Sequence, residues 1–201
     1  MPKIICIASQ KGGVGKSTLC LNLACMFRDN LKTGLLDLDL QGSSSELLKE
    51  EGIEILNPHT PTGELPHLPH DILFIDTPPY LSSRLLDILQ VADVVLIPTR
   101  SGAFDAMALT DTVNLVEKAK EKNPQLKAAI VFTMVKPGST ITEEIRPVIN
   151  TGSIPVLDQV ITERVCYTRS LLTGGVLKSK DNKAKLEMME MTEAVVKLLG
   201  L

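Results

Sequence analysis

The chain has 201 residues, 44% of them hydrophobic and 22% charged, with a formal net charge of -3. This composition suits a packed core and excludes a disordered or collagen-like chain, and the slight acidity leaves any nucleic-acid binding to a local patch. Aromatic residues make up 3% and tryptophan is absent, which argues against a base-stacking platform.

Lys3–Ser9 is the first β-branched apolar run and reads as a strand buried on both faces. It passes through a glycine-rich turn into Gly15–Asp29, where Leu19, Leu23 and Phe27 recur at helical spacing and the pattern ends near Asn30. Gly34–Leu38, Ile72–Asp76, Val94–Pro98 and Ala128–Thr133 read as further buried strands. Ser82–Val91, Phe104–Lys122 and Ile141–Asn150 read as helices, with Pro147 expected to kink the last. A weaker strand, Ile154–Ile161, precedes helices over Glu163–Leu172 and Asn182–Leu199. Asn57–His70 carries Pro58, Pro61, Pro66 and Pro69 and all three histidines, His59, His67 and His70. Their spacing matches no helical metal pair, so a proline-rich surface connection is expected. The alternation of strand and helix predicts the α/β class, a mostly parallel twisted sheet flanked by helices on both faces. No repeat or long linker interrupts it, so residues 1–201 are expected to form a single domain.

Four cysteines (Cys6, Cys20, Cys25, Cys166) lie in apolar surroundings without a C-x-x-C pair. A reducing cytoplasm is the expected compartment, and small buried hydrophobes the expected role. The N-terminal apolar run is too short for a signal peptide, and no stretch reaches the ~18 apolar residues of a membrane span.

The first strand leads into Gln10-Lys11-Gly12-Gly13-Val14-Gly15-Lys16-Ser17-Thr18 and then directly into a helix. Glycines let backbone N–H groups converge on phosphate oxygens, and the helix aims its positive end at the same place. Lys16 supplies a mobile cation for the β- and γ-phosphates, and Ser17 a hydroxyl ligand for magnesium. The general motif G-x-x-x-x-G-K-[ST] asks for glycine where this chain has Gln10, and fixes no lysine at position 11.

The run Lys11-Gly12-Gly13-Val14-Gly15-Lys16-Ser17 instead resembles the deviant Walker A loop of the ParA/MinD family of P-loop ATPases. Leu35–Gly42 resembles that family's Asp-x-Asp-Pro-Gln signature, with Leu40 in place of proline. Ile72–Pro79 is similar to its Walker B strand with the Asp-Thr-Pro-Pro exit, and Ala92–Pro98 to the strand that follows. Val160–Tyr167 resembles its Ile-Pro-x-Arg-Val-x-Tyr stretch, with Thr162 for proline, and Ser170–Val176 its Ala-x-x-x-Gly-x-x-Val. The resemblance implies ATP and Mg²⁺ as cofactors, the loop residues Lys11 to Thr18 around the phosphates, and Ser17, Asp39 and Asp76 about the metal. It further implies that Lys11 reaches the nucleotide of a partner subunit in a nucleotide-dependent homodimer, and that Asp39 positions the attacking water, with Asp37 structural. Thr133, Met134 and Thr162 are its candidates for contact with adenine. No arginine finger or positioned glutamine is identifiable, so slow hydrolysis stimulated by a ParB/ParG-like partner is implied.

Three branches of the family are open to such a chain. A plasmid or DNA partition ATPase, most like the small ParF-type proteins, would bind nucleoid DNA without sequence preference in its ATP state. Lys178, Lys180, Lys183 and Lys185, with Arg164 and Arg169, are the candidate basic strip, although exposed lysines at a helix start need no partner. The chain starts at its first strand, so the helix-turn-helix extension of larger partition ATPases is not expected. A MinD-like membrane switch needs a basic amphipathic end. The last helix instead pairs an apolar stripe (Leu186, Met189, Val195, Val196, Leu199) with Glu187, Glu190 and Glu193, which argues for core packing. A metabolic relative is disfavoured by Lys11, which amide-forming ligases generally lack, and by the want of a second downstream cysteine beside Cys166 for a shared iron–sulfur cluster. Partition or positioning of DNA or another cargo is the expected function.

Overall fold

The computed structural model describes residues 1–39, 52–80, 83–149 and 152–201, without the side chains of Ser83 and of residues 103–108. Leu40, Gln41 and Gly42, and the expected helix ends Ser82 and Asn150, lie outside the described residues. The strands are β1 (Lys3–Ile7), β2 (Thr33–Asp37), β3 (Glu54–Ile55), β4 (Ile72–Asp76), β5 (Val94–Thr99), β6 (Lys127–Val135) and β7 (Val156–Thr162). They form one sheet in the order β3-β2-β4-β1-β5-β6-β7, every pairing parallel. The helices are α1 (Lys16–Phe27), α2 (Ser83–Val91), α3 (Ala103–Lys120), α4 (Ile141–Ile149), α5 (Val165–Thr173) and α6 (Asn182–Leu199).

Two apolar layers hold the sheet between them. Alternate residues of each strand point to opposite faces, so Ile5, Ile7, Phe74, Leu96 and Val131 pack with Leu19 and Leu23 of α1 and Met188 and Met191 of α6. Ile4, Cys6, Ile75, Val95 and Ile130 face the other way, onto Ile88 and Leu89 of α2 and Val116 and Ala119 of α3. β1 sits at the centre, with Ile4 to Ile7 at most 1% exposed. Each such side chain contributes about 1.5–3 kcal/mol on burial. After β1 the chain moves to β2 on one side, and after β4 it crosses β1 to reach β5 on the other. Such a reversal opens a crevice at the carboxyl ends of the strands, and the glycine-rich turn lies there.

The α/β class and the parallel sheet agree with expectation, and three details differ. The proline-rich Asn57–His70 stretch is more than a surface connection. Its Thr62–His67 segment forms a 3-10 turn that buries Leu65 in the second layer, and His70 is only 7% exposed. His70 and Leu73 fill the space left by the missing side chain of Gly34 on β2; a Cβ there would meet Leu73 Cδ2 at 2.6 Å and His70 Cδ2 at 3.0 Å. The buried face of α6 is Ala184, Met188, Met191, Ala194 and Val195, with Val196 and Leu199 packed against the core, so the C-terminal half of the expected stripe is buried and its first two residues are not. Leu186 is 56% and Met189 45% exposed, because the Asp181 cap and the inward reach of Glu187 set the phase of the helix. β6 runs on to Val135 with register shifts against β7 on either side of Phe132, which bring Met134 to φ 53. Among the described residues, no helix is long and apolar enough to cross a membrane.

Candidate functional site

The turn between β1 and α1 is built around two left-handed glycines, Gly13 (φ 69) and Gly15 (φ 81). Gly15 is the N-cap of α1; no side chain caps the helix and no acid occupies its first turn. The orphan N–H groups and the positive end of α1 are therefore available to an anion. The loop is propped from neighbouring strand ends. Thr133 Oγ1 donates to Val14 O at 2.7 Å, with Thr99 O also within reach of the same hydroxyl at 3.2 Å, while Arg100 donates to Gly13 O at 2.6 Å. Thr77 Oγ1, just past β4, donates to Ile7 O at 2.8 Å and ties the two strand ends together.

Lys16, 6% exposed, folds back to donate its Nζ to Lys11 O at 3.3 Å. Burial lowers its pKa, and Asp76 and Asp39 oppose that. Lys11 itself stands half-buried in the loop. Asp37 and Asp76 are register partners at the ends of β2 and β4, and Asp37 Oδ1 accepts the Asp39 N–H at 2.9 Å. Asp37 is thus a brace for Asp39, and burial raises its pKa. Asp76, 4% exposed, is pushed up to about 7, above all by burial and then by the charges of Asp37 and Asp39; a hydrogen bond from Ser17 and the nearby Lys16 oppose this. Its Oδ1 is buried with no hydrogen-bond partner. The structure therefore brings Lys11, Lys16, Ser17, Asp39 and Asp76 to one end of the sheet. Among the described residues no three acidic, histidine or cysteine side chains converge into a self-sufficient metal cage.

Beside the loop lies a cavity of about 260 Å³ whose walls include Gly15, Thr18, Thr133, Met134, Thr162 and Arg164. Leu19, Ile161 and Met188 supply apolar surface. Thr133, Met134 and Thr162, the candidates for contact with adenine, line this one cavity. The hydroxyl of Thr133 is spent on Val14 and Thr99, and that of Thr162 on Glu187 Oε1 at 2.8 Å, so Met134 is the one that presents a side chain unengaged by hydrogen bonds. Its left-handed backbone is uncommon for a residue with a Cβ, and bulged strand ends of this kind re-aim side chains beside functional sites. Sequence reasoning missed Glu187. Its carboxylate accepts from Thr162 N and Oγ1, Arg164 Nε and Nη2, and Tyr167 OH, all within 3.2 Å. Arg164, which also pairs with Asp181 at 3.3 Å, is a wall of this cavity and not a member of the basic strip.

The family description that matches the chain, over residues 5–177, is the CobQ/CobB/MinD/ParA nucleotide binding domain. The chain belongs to this family. It is 29% identical over 181 residues to the maintenance of carboxysome distribution protein A of Halothiobacillus neapolitanus, an alignment spanning 85% of this chain and 84% of that protein. It is 30% identical over 196 residues to the chromosome partitioning protein ParA of Myxococcus xanthus, spanning 71% and 69%. Among solved structures, cobyrinic acid a,c-diamide synthase from Mycobacterium smegmatis, with bound ATP analog and magnesium, superimposes with a TM-score of 0.78 at 20% identity over 98% of this chain and 95% of that one. That likeness shows the fold; the curated relatives place the chain among ParA-like partition and positioning proteins.

Proposed function

We propose that residues 1–201 act as one P-loop domain that binds ATP with Mg²⁺ and works as a dimerisation switch, hydrolysing ATP slowly and moving DNA or another large cargo across the nucleoid. The observation that carries the reading is the buried, unpartnered Oδ1 of Asp76, set beside Ser17, Lys16 and an uncapped helix start. An orphaned buried carboxylate oxygen is costly unless a cation takes it up. Magnesium usually rests on one or two carboxylates and on substrate phosphates, and Asp76 with nearby Asp39 offers such carboxylates. Ser17 and Asp76 would hold the ion, with Asp39 near it; when bound, it neutralises charge on the phosphate oxygens.

The chain's own groups do the rest. The N–H groups from Gly12 to Thr18 cradle the phosphates, and Lys16 leaves Lys11 O for their oxygens. Asp39, braced by Asp37, orients a water for in-line attack. Thr133 keeps the loop in shape, Met134 contributes apolar contact to the base, and the Thr162 backbone closes the cavity. Lys11 reaches into the site of a second copy, so the γ-phosphate holds the dimer together and its loss releases it. A ParB/ParG-like partner accelerates hydrolysis. Exposed Lys180 and Lys183, doubled by dimerisation, give salt-sensitive DNA contact in a nucleoid-associated, cytoplasmic protein.

Sedimentation velocity with ATP and with ADP tests the switch, beside binding of a fluorescent ATP analogue. The wild type should dimerise with ATP only; Lys16→Ala should lose the nucleotide, and Lys11→Ala should bind it and stay monomeric. Dimerisation of Lys11→Ala equal to wild type refutes the shared site. Retention on anionic vesicles instead of DNA moves the reading to a membrane switch.

A further inference from the structure

Arg100, the first residue after β5, lies in a stretch to which no motif draws attention, yet its guanidinium reaches 87 positions back along the chain to the carbonyl of Gly13. The contact is short, 2.6 Å, and it falls on the left-handed glycine of the loop. A Cβ on Gly13 would stand 3.6 Å from the same nitrogen, so the two groups are closely apposed. The next carbonyl, that of Val14, is held at 2.7 Å by Thr133 of β6, the strand beside β5.

A trans peptide is planar, and its C=O and N–H point in opposite directions. Fixing the Gly13 carbonyl toward β5 therefore fixes the Val14 N–H away from it, and fixing the Val14 carbonyl does the same for the Gly15 N–H. Two successive amides are thus turned to one side, the arrangement that makes a concave anion nest. We propose that Arg100 is a positioning residue of the phosphate site, clamping the Gly13 carbonyl so that the Val14 amide is preset for a phosphate oxygen. The inference rests on the nucleotide reading above and adds to it the residue that shapes the loop from outside. Arg100 acts through the backbone and needs no contact with the nucleotide.

The test measures binding of fluorescent ATP and ADP analogues to the full chain as wild type, Arg100→Ala and Arg100→Lys. Adenosine, which lacks phosphate, is measured by competition, and melting temperatures are taken without nucleotide. Arg100→Ala should weaken both nucleotides about tenfold, the low end for a charge-assisted hydrogen bond at an exposed site. Adenosine affinity and melting temperature should hardly move, and Arg100→Lys, which restores a charged donor, should recover most of the loss. A loss of adenosine binding equal to that of ATP would mean that Arg100 merely supports the fold, and overturns the assignment. Unchanged ATP and ADP affinities in Arg100→Ala beside a wild type that binds overturn it alone. A wild type that binds neither nucleotide removes the reading on which it stands as well.

Discussion

Asp76→Asn separates the cost of the buried carboxylate from its use. In the ligand-free protein the ordinary aspartate value of 3.8 is raised to about 7. A native pKa above the unfolded one means that the folded chain holds the proton more tightly, so stability falls as pH rises from near 4 through 7. The gap corresponds to about 4 kcal/mol at pH 8, and by pH 5 about 2 kcal/mol of it is already incurred. Asparagine carries no such charge. Urea unfolding of nucleotide-free wild type and Asp76→Asn at pH 5 and pH 8 should therefore show the variant gaining about 2–3 kcal/mol on the wild type between the two. The subtraction cancels carboxylates remote from the site. Magnesium with ATP should restore the wild type at pH 8 and leave the variant behind. A stability difference that is flat with pH, or a variant less stable at pH 8 than at pH 5 relative to wild type, refutes the view that Asp76 is held in an unfavourable charged state awaiting a cation.

Gly34→Ala should destabilise the chain by about 1–3 kcal/mol, since the new methyl meets the buried Leu73 at 2.6 Å and His70 at 3.0 Å; an unchanged urea midpoint would show that the notch is not tightly packed. Glu187→Ala strips the acceptor from Thr162 and leaves Arg164, whose side chain is 19% exposed, with Asp181 alone and Tyr167 OH with Ala184 O alone. It should cost about 2–3 kcal/mol in thermal or urea unfolding, with Glu187→Gln recovering part, and equal loss in both variants would show that hydrogen bonding is not the cause.

What the sequence made legible is what is local. Buried strands announce themselves by continuous β-branched runs, and the phosphate loop by glycines that only a left-handed backbone requires, here at Gly13 and Gly15. Asp76 and Asp37 end apolar runs, and a run's end is a strand's tip. What it hid are pairings between distant segments. Arg100 to Gly13, Glu187 to Thr162 and Arg164, and His70 over Gly34 depend on which strands become neighbours, and no spacing encodes that. Arg164 shows the consequence. Beside Lys178 and Lys180 it reads as part of a basic surface, whereas in the fold two carboxylates claim it and it walls a cavity.

The same distant pairings explain why the site is both rigid and ill at ease. β1 leads into the loop, β2 carries Asp37 on to Asp39, β4 ends in Asp76, β5 delivers Arg100 and β6 ends past Thr133 and Met134, so five adjacent strands of one sheet set the relative positions of the groups. Without a ligand those positions hold an uncapped helix start, a buried lysine whose charge is disfavoured and a carboxylate oxygen with no partner. The carboxylate ends β4, a strand buried along its whole length, and Lys16 is 6% exposed, so water relieves neither charge. A polyphosphate with a divalent cation answers all three at once, so ligand binding and folding free energy are linked, and saturating ligand should raise the unfolding free energy by about 3–4 kcal/mol at 100–1,000 times its dissociation constant. A site so arranged distinguishes occupied from empty by more than contact with the ligand alone, and the dimerisation switch proposed above would draw on that difference.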